Sequence, residues 1–313
     1  MTLIEFTRHF PNEDACKQHI KSLRERQSIV CNKCGGEKHY WKGFRNVWEC
    51  KECGHRTSLT CGTMMHGTKL PLMYWFLSIH LLTSTKKAMS ACELQRQLGH
   101  KRYQPIWEML HKIREAMGKR DSQYTLSGEI ELDEGFFTVD YDANAPRHRG
   151  RGSEAKAKVL VMAESRSVEE PTRSDVRKQV GYIKMQVIPN LRAETIDEVV
   201  MDNIEPESQL TTDNSTSYTH FADMVEEHHA QVITPREEGR VLPWVHIVIS
   251  NAKREILDVF HSVSEELMQN YLNEFCYRFN RRYCDKFERL MVVASVGYQN
   301  SFMHRMYASR NVA

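Results

Sequence analysis

Four cysteines, arranged as two Cys-x2-Cys pairs, constrain this sequence more than any other feature. Cys31 and Cys34 form the first pair, Cys50 and Cys53 form the second, and 15 residues separate the pairs. Glycine follows each pair and lets the backbone turn tightly, so that its amides can face the thiolates. Four thiolates at this spacing fit a closed, tetrahedral zinc site of the structural kind. The aromatic-rich residues between the pairs predict short strands, and the whole segment therefore predicts a zinc ribbon.

Other features exclude a secreted or membrane-spanning protein. The chain has nine cysteines, an odd number, and its start has neither a basic region nor an apolar core typical of an export signal. The longest apolar run, Leu70–Leu82, has 13 residues and is shorter than the roughly 20 needed to cross a bilayer. We therefore expect a cytoplasmic protein without disulfides. The other five cysteines are interpreted as packing residues: Cys16, Cys61, Cys92, Cys276 and Cys284.

Charge is distributed unevenly along the chain. Residues 1–120 carry 21 Lys and Arg against 10 Asp and Glu, whereas residues 121–313 carry 22 against 31. A basic front half suits a polyanionic partner, because cations that neutralise phosphates release condensed counterions. The acidic back half would repel the same partner unless metal ions or basic strips intervene. The two halves are therefore expected to do different jobs.

Three helices are predicted between the ribbon and residue 125. The first follows Pro71, the second is capped by Ser90 and ends at Gly99, and the third runs from about Tyr103 to Arg120. The short turn between the last two is typical of a helix-turn-helix unit, whose later helix lies in the major groove of DNA. Basic residues of this helix are expected on its outer face: Lys112, Arg114, Lys119 and Arg120. A helical spacer with a solvated charged face fits the same pattern, but the basic charge favours DNA binding.

After Gly128 the pattern predicts a mixed sheet with helices packed on it. The elements in order are strands 129–139, 157–163 and 182–188, a helix 193–202, a short strand ending at Asp213, and a run 244–249 leading into a helix 251–260. This is the element order of a ribonuclease-H-like core. The predicted fold class is α/β, with a zinc ribbon and a helix-turn-helix-like domain before a ribonuclease-H-like domain. The predicted boundaries are 1–65, 66–125 and 126–313.

A ribonuclease-H-like core brings together acidic residues from distant positions. Asp133 lies midway along the first predicted strand and Asp213 ends the fourth. A third ligand is needed at the start of a late helix, where Asn251 is found instead of an acid. Glu255 and Asp258 follow on the same predicted helix and are alternative sources of the missing charge. Oxygen ligands of this kind suit two Mg²⁺ ions for phosphoryl transfer, with Mn²⁺ as an alternative.

Several motifs together resemble the zinc-ribbon insertion-sequence transposases of the IS1595 type. They are the ribbon, the turn at 98–101 with 107–117, the strand 131–134, the segment 244–253, and the C-terminal segments 261–263 and 271–282. Their order and spacing are specific, and the resemblance covers roughly residues 25–285.

This resemblance implies a DDE-type transposase in which asparagine commonly replaces the third acid. The first two acids would be Asp133 and Asp213, and the third position would be Asn251. A lysine that often follows corresponds most closely to Lys253, with a role in phosphate contact. His246 is interpreted as a packed or capping histidine.

The resulting prediction is a transposase that binds the terminal inverted repeats of its element and cuts and joins DNA. Partners would be the element ends and target DNA, with at least a dimer on DNA and no membrane. A zinc-ribbon transcription regulator with an inactive C-terminal domain is the main alternative, and a junction-resolving nuclease is another. Two basic strips, 147–151 and 277–283, are interpreted either as DNA contacts or as structural segments.

Overall fold

The computed structural model describes residues 1–140, 153, 155–167, 178–213, 215–218, 220–231 and 241–295. These residues divide into two compact units. The first comprises Met1–Arg120 and the C-terminal segment that begins at Tyr283, and the second comprises Asp121–Arg282. Residues 283–295 therefore pack with the front half of the chain, whereas the predicted boundary placed them in the 126–313 domain. The basic strip 147–151 lies outside the described residues.

The first unit contains six α-helices and a small antiparallel sheet among the residues that the structure describes. Its elements are α1 (Leu3–His9), α2 (Glu13–Arg26), β1 (His39–Lys42), β2 (Val47–Cys50), β3 (Arg56–Ser58), α3 (Leu72–Ser84), α4 (Ala91–Leu98), α5 (Tyr103–Asp121, whose last residue falls in the second unit) and α9 (Lys286–Ser295). The strands pair in the order β1-β2-β3. The guanidinium of Arg24 on α2 holds the ribbon by donating to the carbonyls of Ser58 and Leu59, at 3.0 and 2.6 Å.

The helices of the first unit pack through aromatic rings and are capped as the sequence predicts. Phe6, Phe10 and Phe76 contact Phe287 of α9, with ring centroids 5.6–6.1 Å apart. Ser90 accepts a hydrogen bond from the backbone amide of Glu93 at the start of α4, and Gly99 ends the helix in the left-handed conformation. The three predicted helices are thus confirmed within two residues at each end.

The second unit is a five-stranded mixed sheet with helices on both faces. Its elements are β4 (Glu129–Thr138), β5 (Lys156–Ser167), β6 (Lys178–Ile188), α6 (Ala193–Asn203), β7 (Gln209–Asp213), β8 (Glu227–Gln231), α7 (Pro243–Phe260) and α8 (Glu265–Asn280). The strand order is β6-β5-β4-β7-β8, with β4, β5 and β6 antiparallel and β7 and β8 parallel to β4. This is the ribonuclease-H-like sheet that the element order predicted.

Strand alternation on β4 separates the two cores of this sheet. Phe137 and Val139 face α7 and α8, whereas Ile130 and Leu132 face α6. Asp133 has the parity of the first pair, so it points to the α7 side of the sheet.

One predicted boundary is wrong in a way that matters for the site. The sequence predicts that the late helix begins near Asn251, but it begins at Pro243. The run Trp244–Ile249 is rich in β-branched residues, which favour strands when considered alone. Here Val245, Val248 and Ile249 pack onto the sheet at helical spacing, and the gain from burial outweighs that preference. Within the described part of the chain, no helix has the length and apolar character to span a membrane.

Candidate functional site

The four cysteines of the ribbon converge on one point. Their sulfur atoms all lie within 4.8 Å of one another, and the pairs Cys31–Cys53 and Cys34–Cys50 are each 3.6 Å apart. Zinc bound to four thiolates at about 2.3 Å would hold the sulfurs about 3.8 Å apart, so the arrangement fits a tetrahedral ion.

Two backbone turns hold these thiolates in place. The amides of Gly35 and Gly54 donate to the carbonyls of Cys31 and Cys50, at 2.9 and 3.0 Å. Both glycines have positive φ, at 75° and 68°, where a side chain would be strained. The glycines after each cysteine pair therefore form the predicted tight turns, with their amides donating to carbonyls of the first cysteine of each pair rather than to thiolates.

In the second unit, Asp133 and Asp213 lie side by side on neighbouring parallel strands. The β4–β7 ladder ends with Leu132 opposite Thr212, so the next residue on each strand is an aspartate. Side chains in the same register of parallel neighbours share a face. The two carboxylates predicted from the sequence are therefore brought together.

The backbone orients one oxygen of each carboxylate. The amide of Glu134 donates to Oδ1 of Asp133 at 2.7 Å, and the amide of Ser215 donates to Oδ1 of Asp213 at 3.2 Å. Burial, together with the negative charge of Glu134, Asp133 and Asp213, raises the pKa of the Tyr218 phenol. The phenol therefore lies close to three carboxylates at this edge of the sheet.

Glu131, two residues before Asp133, anchors α7 to the same strand. Its Oε2 accepts hydrogen bonds from the backbone amides of Trp244 and Val245, at 2.8 and 3.0 Å, in the first turn of the helix. The side chain is buried, and burial raises its pKa to about 7. This contact fixes the position of α7 along β4, and that position determines which helix residue faces Asp133.

That residue is His246. Its Nδ1 lies 3.7 Å from Oδ2 of Asp133, longer than a hydrogen bond and within the roughly 3–4 Å that separates two ligand atoms sharing one ion. Further along α7, Ile249 faces Gly135, and the Lys253 ammonium lies 5.7 Å from the ring centroid of Phe137. Alternate residues of β4 thus meet successive turns of α7.

Lys253 lies within electrostatic reach of Asp133. Burial and the nearby Lys156 lower the pKa of its amine, and Asp133 opposes this shift. Seven residues separate it from His246, which is two helical turns, so both side chains point toward β4.

Asn251 and Glu255, the other residues predicted from the sequence, lie elsewhere on α7. A helix turns by about 100° per residue, so Asn251 points about 140° away from His246 and Glu255 about 180° away. The Asn251 side chain is exposed. Glu255 forms an ion pair with Arg278 of α8. These two residues are not brought to Asp133 and Asp213.

His246 is not predicted from the sequence, because a helix that begins near Asn251 would leave it outside, whereas the helix begins at Pro243. The signal that could have found it is Pro243, a residue favoured in the first turn of helices, followed by a histidine and, seven residues on, a lysine. Read as one helix, this spacing puts His246 and Lys253 on one side.

Comparison with known protein families supports both units. A family model described as the ISXO2-like transposase domain, of the IS1595 type, matches residues 125–280. A second, described as the transposase zinc-ribbon domain of the same type, matches residues 11–56. No curated protein matches the chain.

Proposed function

Because this chain belongs to the IS1595 family of transposases, we propose that it cuts and joins DNA at the ends of a mobile element with divalent cations held by Asp133, Asp213 and His246. The single observation that supports this is the convergence of β4, β7 and α7, which puts the two carboxylates in one register and His246 3.7 Å from Asp133.

These donors would hold two divalent cations, although among the described residues the four cysteines are the one group of three or more donors that already lies close enough to share an ion. Carboxylate oxygens are preferred ligands of Mg²⁺ and Mn²⁺, and an imidazole nitrogen is a softer ligand that suits transition metals. Two such ions, when bound, would stabilise the attacking and leaving oxygens of an in-line displacement at phosphorus. Asn251 and Glu255 are the candidates for the third position that the sequence suggests. Both point away from Asp133 on α7, whereas His246 points toward it, so we propose His246 as the third ligand.

The chain's own residues would orient the reaction. The backbone bonds to Oδ1 of each aspartate leave Oδ2 as the proposed ligand atom. Lys253 would contact a phosphate oxygen of the substrate and offset its negative charge. Glu131 would act indirectly: its hydrogen bonds to the first turn of α7 keep His246 next to Asp133.

Two steps follow at one site. Water attacks the phosphorus at the element end, the bond from phosphorus to the 3′ oxygen breaks, and the element keeps a 3′-OH. This hydroxyl then attacks a phosphorus of target DNA and releases a 3′-OH on the target strand. Joining two ends in one reaction requires both to be held together, so we propose at least a dimer on DNA.

The test uses the purified full chain and a plasmid that carries its coding gene with the natural flanking DNA. We expect Mg²⁺- or Mn²⁺-dependent strand cleavage that EDTA abolishes. Asp133→Asn and Asp213→Asn should each lower cleavage by about a thousandfold or more while DNA binding persists. Full cleavage in either variant would remove the site assignment.

His246→Ala and Asn251→Ala form a matched pair on one helix. If His246 is the third ligand, its replacement should lower cleavage at least about a hundredfold, whereas Asn251→Ala should stay within about twofold. The reverse result would restore Asn251 as the ligand.

The products separate this function from its alternatives. A transcription regulator would bind DNA without cutting it, and a junction-resolving nuclease would cut branched DNA without joining it. Joined products between element ends and target DNA are expected only from a transposase.

A further inference from the structure

A basic cleft lies within the first unit, and its lining includes none of the four ribbon cysteines. It has a volume of about 770 Å³ and lies between the loop before α3, the α4–α5 turn and the first turns of α5. We define the basic cleft by the residues that matter most to its chemistry: Lys69, Leu70, Lys101, Arg102, Pro105 and Lys112. Four of the six are cationic, and Glu108 is the one acidic side chain in its described lining.

The α4–α5 wall of the cleft is held by a stiff turn. Gly99 takes the left-handed conformation, and the His100 amide donates to the Gln95 carbonyl at 3.2 Å. The Gln95 side-chain amide donates back to the His100 carbonyl at 3.0 Å, and Nδ1 of His100 lies 2.9 Å from the carbonyl oxygen and 3.2 Å from the amide nitrogen of Arg102. Lys101 and Arg102 are therefore presented from a fixed backbone.

The opposite wall is fixed to a buried tryptophan. Oγ1 of Thr68 accepts from Nε1 of Trp75 and from the amide of Leu70, each at 3.1 Å. Trp75 is 2% exposed, so the loop carrying Lys69 is tied to the core of the unit. Both walls of the cleft are thus held by contacts within the chain.

The chemistry of the lining suits the sugar-phosphate backbone of DNA. Lys69, Lys101 and Arg102 are exposed and form no ion pair with any residue that the structure describes. Among the acceptors of the lining, Thr68 is engaged by Trp75 and Leu70, and Oε1 of Glu108 by Gln104 at 3.0 Å. Cations contact phosphate oxygens, which position a duplex without reading its sequence, and because Arg and Lys also contact guanine edges the test must compare two sequences.

The outer face of α5, which the sequence suggested for DNA, is less suited. Arg114 is 1% exposed, and its guanidinium is directed to the carbonyl of Met89 at 3.5 Å. Lys112 is half-buried at the cleft. The exposed cations of this region are concentrated at the start of α5 rather than along it.

From these observations we infer that the basic cleft binds the phosphodiester backbone of duplex DNA without regard to sequence, holding the substrate against the α4–α5 turn. This inference rests on the proposed function only in taking DNA as the substrate.

The test measures binding of two unrelated duplexes of equal length by fluorescence anisotropy over a series of NaCl concentrations. The full chain with zinc bound is compared with the double variant Lys101→Ala/Arg102→Ala. We expect the slope of log Kd against log [NaCl] to fall by about 2, because two phosphate contacts are lost. The loss of affinity should be equal on both duplexes.

The matched control removes the same charge elsewhere in the unit. Lys17→Ala/Lys21→Ala takes two lysines from the surface of α2, where each has an acidic partner on the same helix. Its slope should change by less than 1. Equal losses in the two double variants would show that only net charge matters, and a loss confined to one duplex would show base reading; either result overturns the inference.

Failure of the proposed function is distinguishable from failure of this inference. Asp133→Asn should bind both duplexes with the wild-type slope. If the wild-type chain does not cleave DNA but the cleft variant still loses two phosphate contacts, DNA binding by the cleft is supported and the catalytic proposal is contradicted.

Discussion

The two candidate metal sites of this protein are built in opposite ways. The four cysteines come from one short segment, and two local turns bring their sulfurs within 4.8 Å of one another. The residues around Asp133 come from two strands and a helix far apart in the chain, and a buried glutamate sets their relative height. A site made by local turns can be predicted from spacing, whereas a site made by packing depends on where each element begins.

Removing the ribbon metal should have the largest effect and tests whether the two sites are independent. Cys53→Ser, or a strong chelator, should unfold the ribbon, because metal binding in such domains contributes on the order of 10 kcal/mol to folding. We expect bound zinc to be lost and the first unit to melt earlier, while the second unit keeps its transition. Zinc analysis and calorimetry measure both.

Cys92→Ser is the control for this experiment, since Cys92 is an exposed cysteine outside the cluster. It should retain zinc and the wild-type melting curve. If Cys53→Ser kept stoichiometric zinc, the four-thiolate site would be contradicted.

Replacing Glu131 tests the second site in the same way. No local turn holds His246 next to Asp133, so the site depends on the hydrogen bonds that Glu131 makes to α7. Glu131→Ala leaves two amides of α7 without their acceptor and should cost the second unit about 3 kcal/mol. Cleavage should fall as well, because His246 is no longer held at Asp133. Urea unfolding and the plasmid assay measure the two effects.

Glu129→Ala is the matched change on the same strand, since Glu129 is half exposed and pairs with Lys178 at the surface. Its expected cost is below about 1 kcal/mol. A cost for Glu131→Ala no larger than this would contradict the anchoring role.

The smallest expected effect concerns the pH dependence of the first unit. His111 on α5 is 1% exposed, and burial lowers its pKa to about 3. In the unfolded chain His111 binds a proton below about pH 6.5, whereas in the folded chain it stays neutral down to about pH 3. The free energy of unfolding therefore falls as the pH drops below about 6.5. Between pH 7 and 5 the loss should be about 1–2 kcal/mol.

His111→Phe should remove that part of the acid sensitivity. Urea midpoints of the first unit at pH 7 and pH 5, in the wild type and the variant, give the difference. An unchanged pH dependence in the variant would show that His111 is not the group responsible.

Much of the fold follows from local patterns, and one local pattern was misleading. Pro71, Ser90 and Gly99 mark helix ends that the structure confirms, because caps and turns act through their nearest neighbours. Asp133 and Asp213 share a register because β4 and β7, which are not consecutive in the chain, pair in parallel; the sequence predicted the two residues and the mixed sheet, and the pairing comes from the tertiary structure. The β-branched run Trp244–Ile249 favours a strand locally, yet it forms the first turns of α7 because its apolar residues are buried on the sheet.

The basic strip at 277–283 is a second case in which packing overrides what the local sequence suggests. Its composition fits stacking on bases, but Arg278 is paired with Glu255 and Glu274, and Arg281 with Asp121 at 2.5 Å. These arginines are buried in ion pairs of the second unit. Charge in a sequence indicates a partner, and packing decides whether that partner is DNA or another side chain of the same chain.

The amino-acid sequence by itself determined the ribbon and the helices of the first unit, because those features depend on spacings of a few residues. It also indicated the two aspartates through the order of the predicted elements, but not the strand pairing that joins them. Only the tertiary structure decided that His246 rather than Asn251 faces Asp133, that Glu131 anchors α7, and that the exposed cations gather in a cleft. Each of these depends on side chains far apart in the chain, and their distances are set by burial of apolar faces rather than by local geometry.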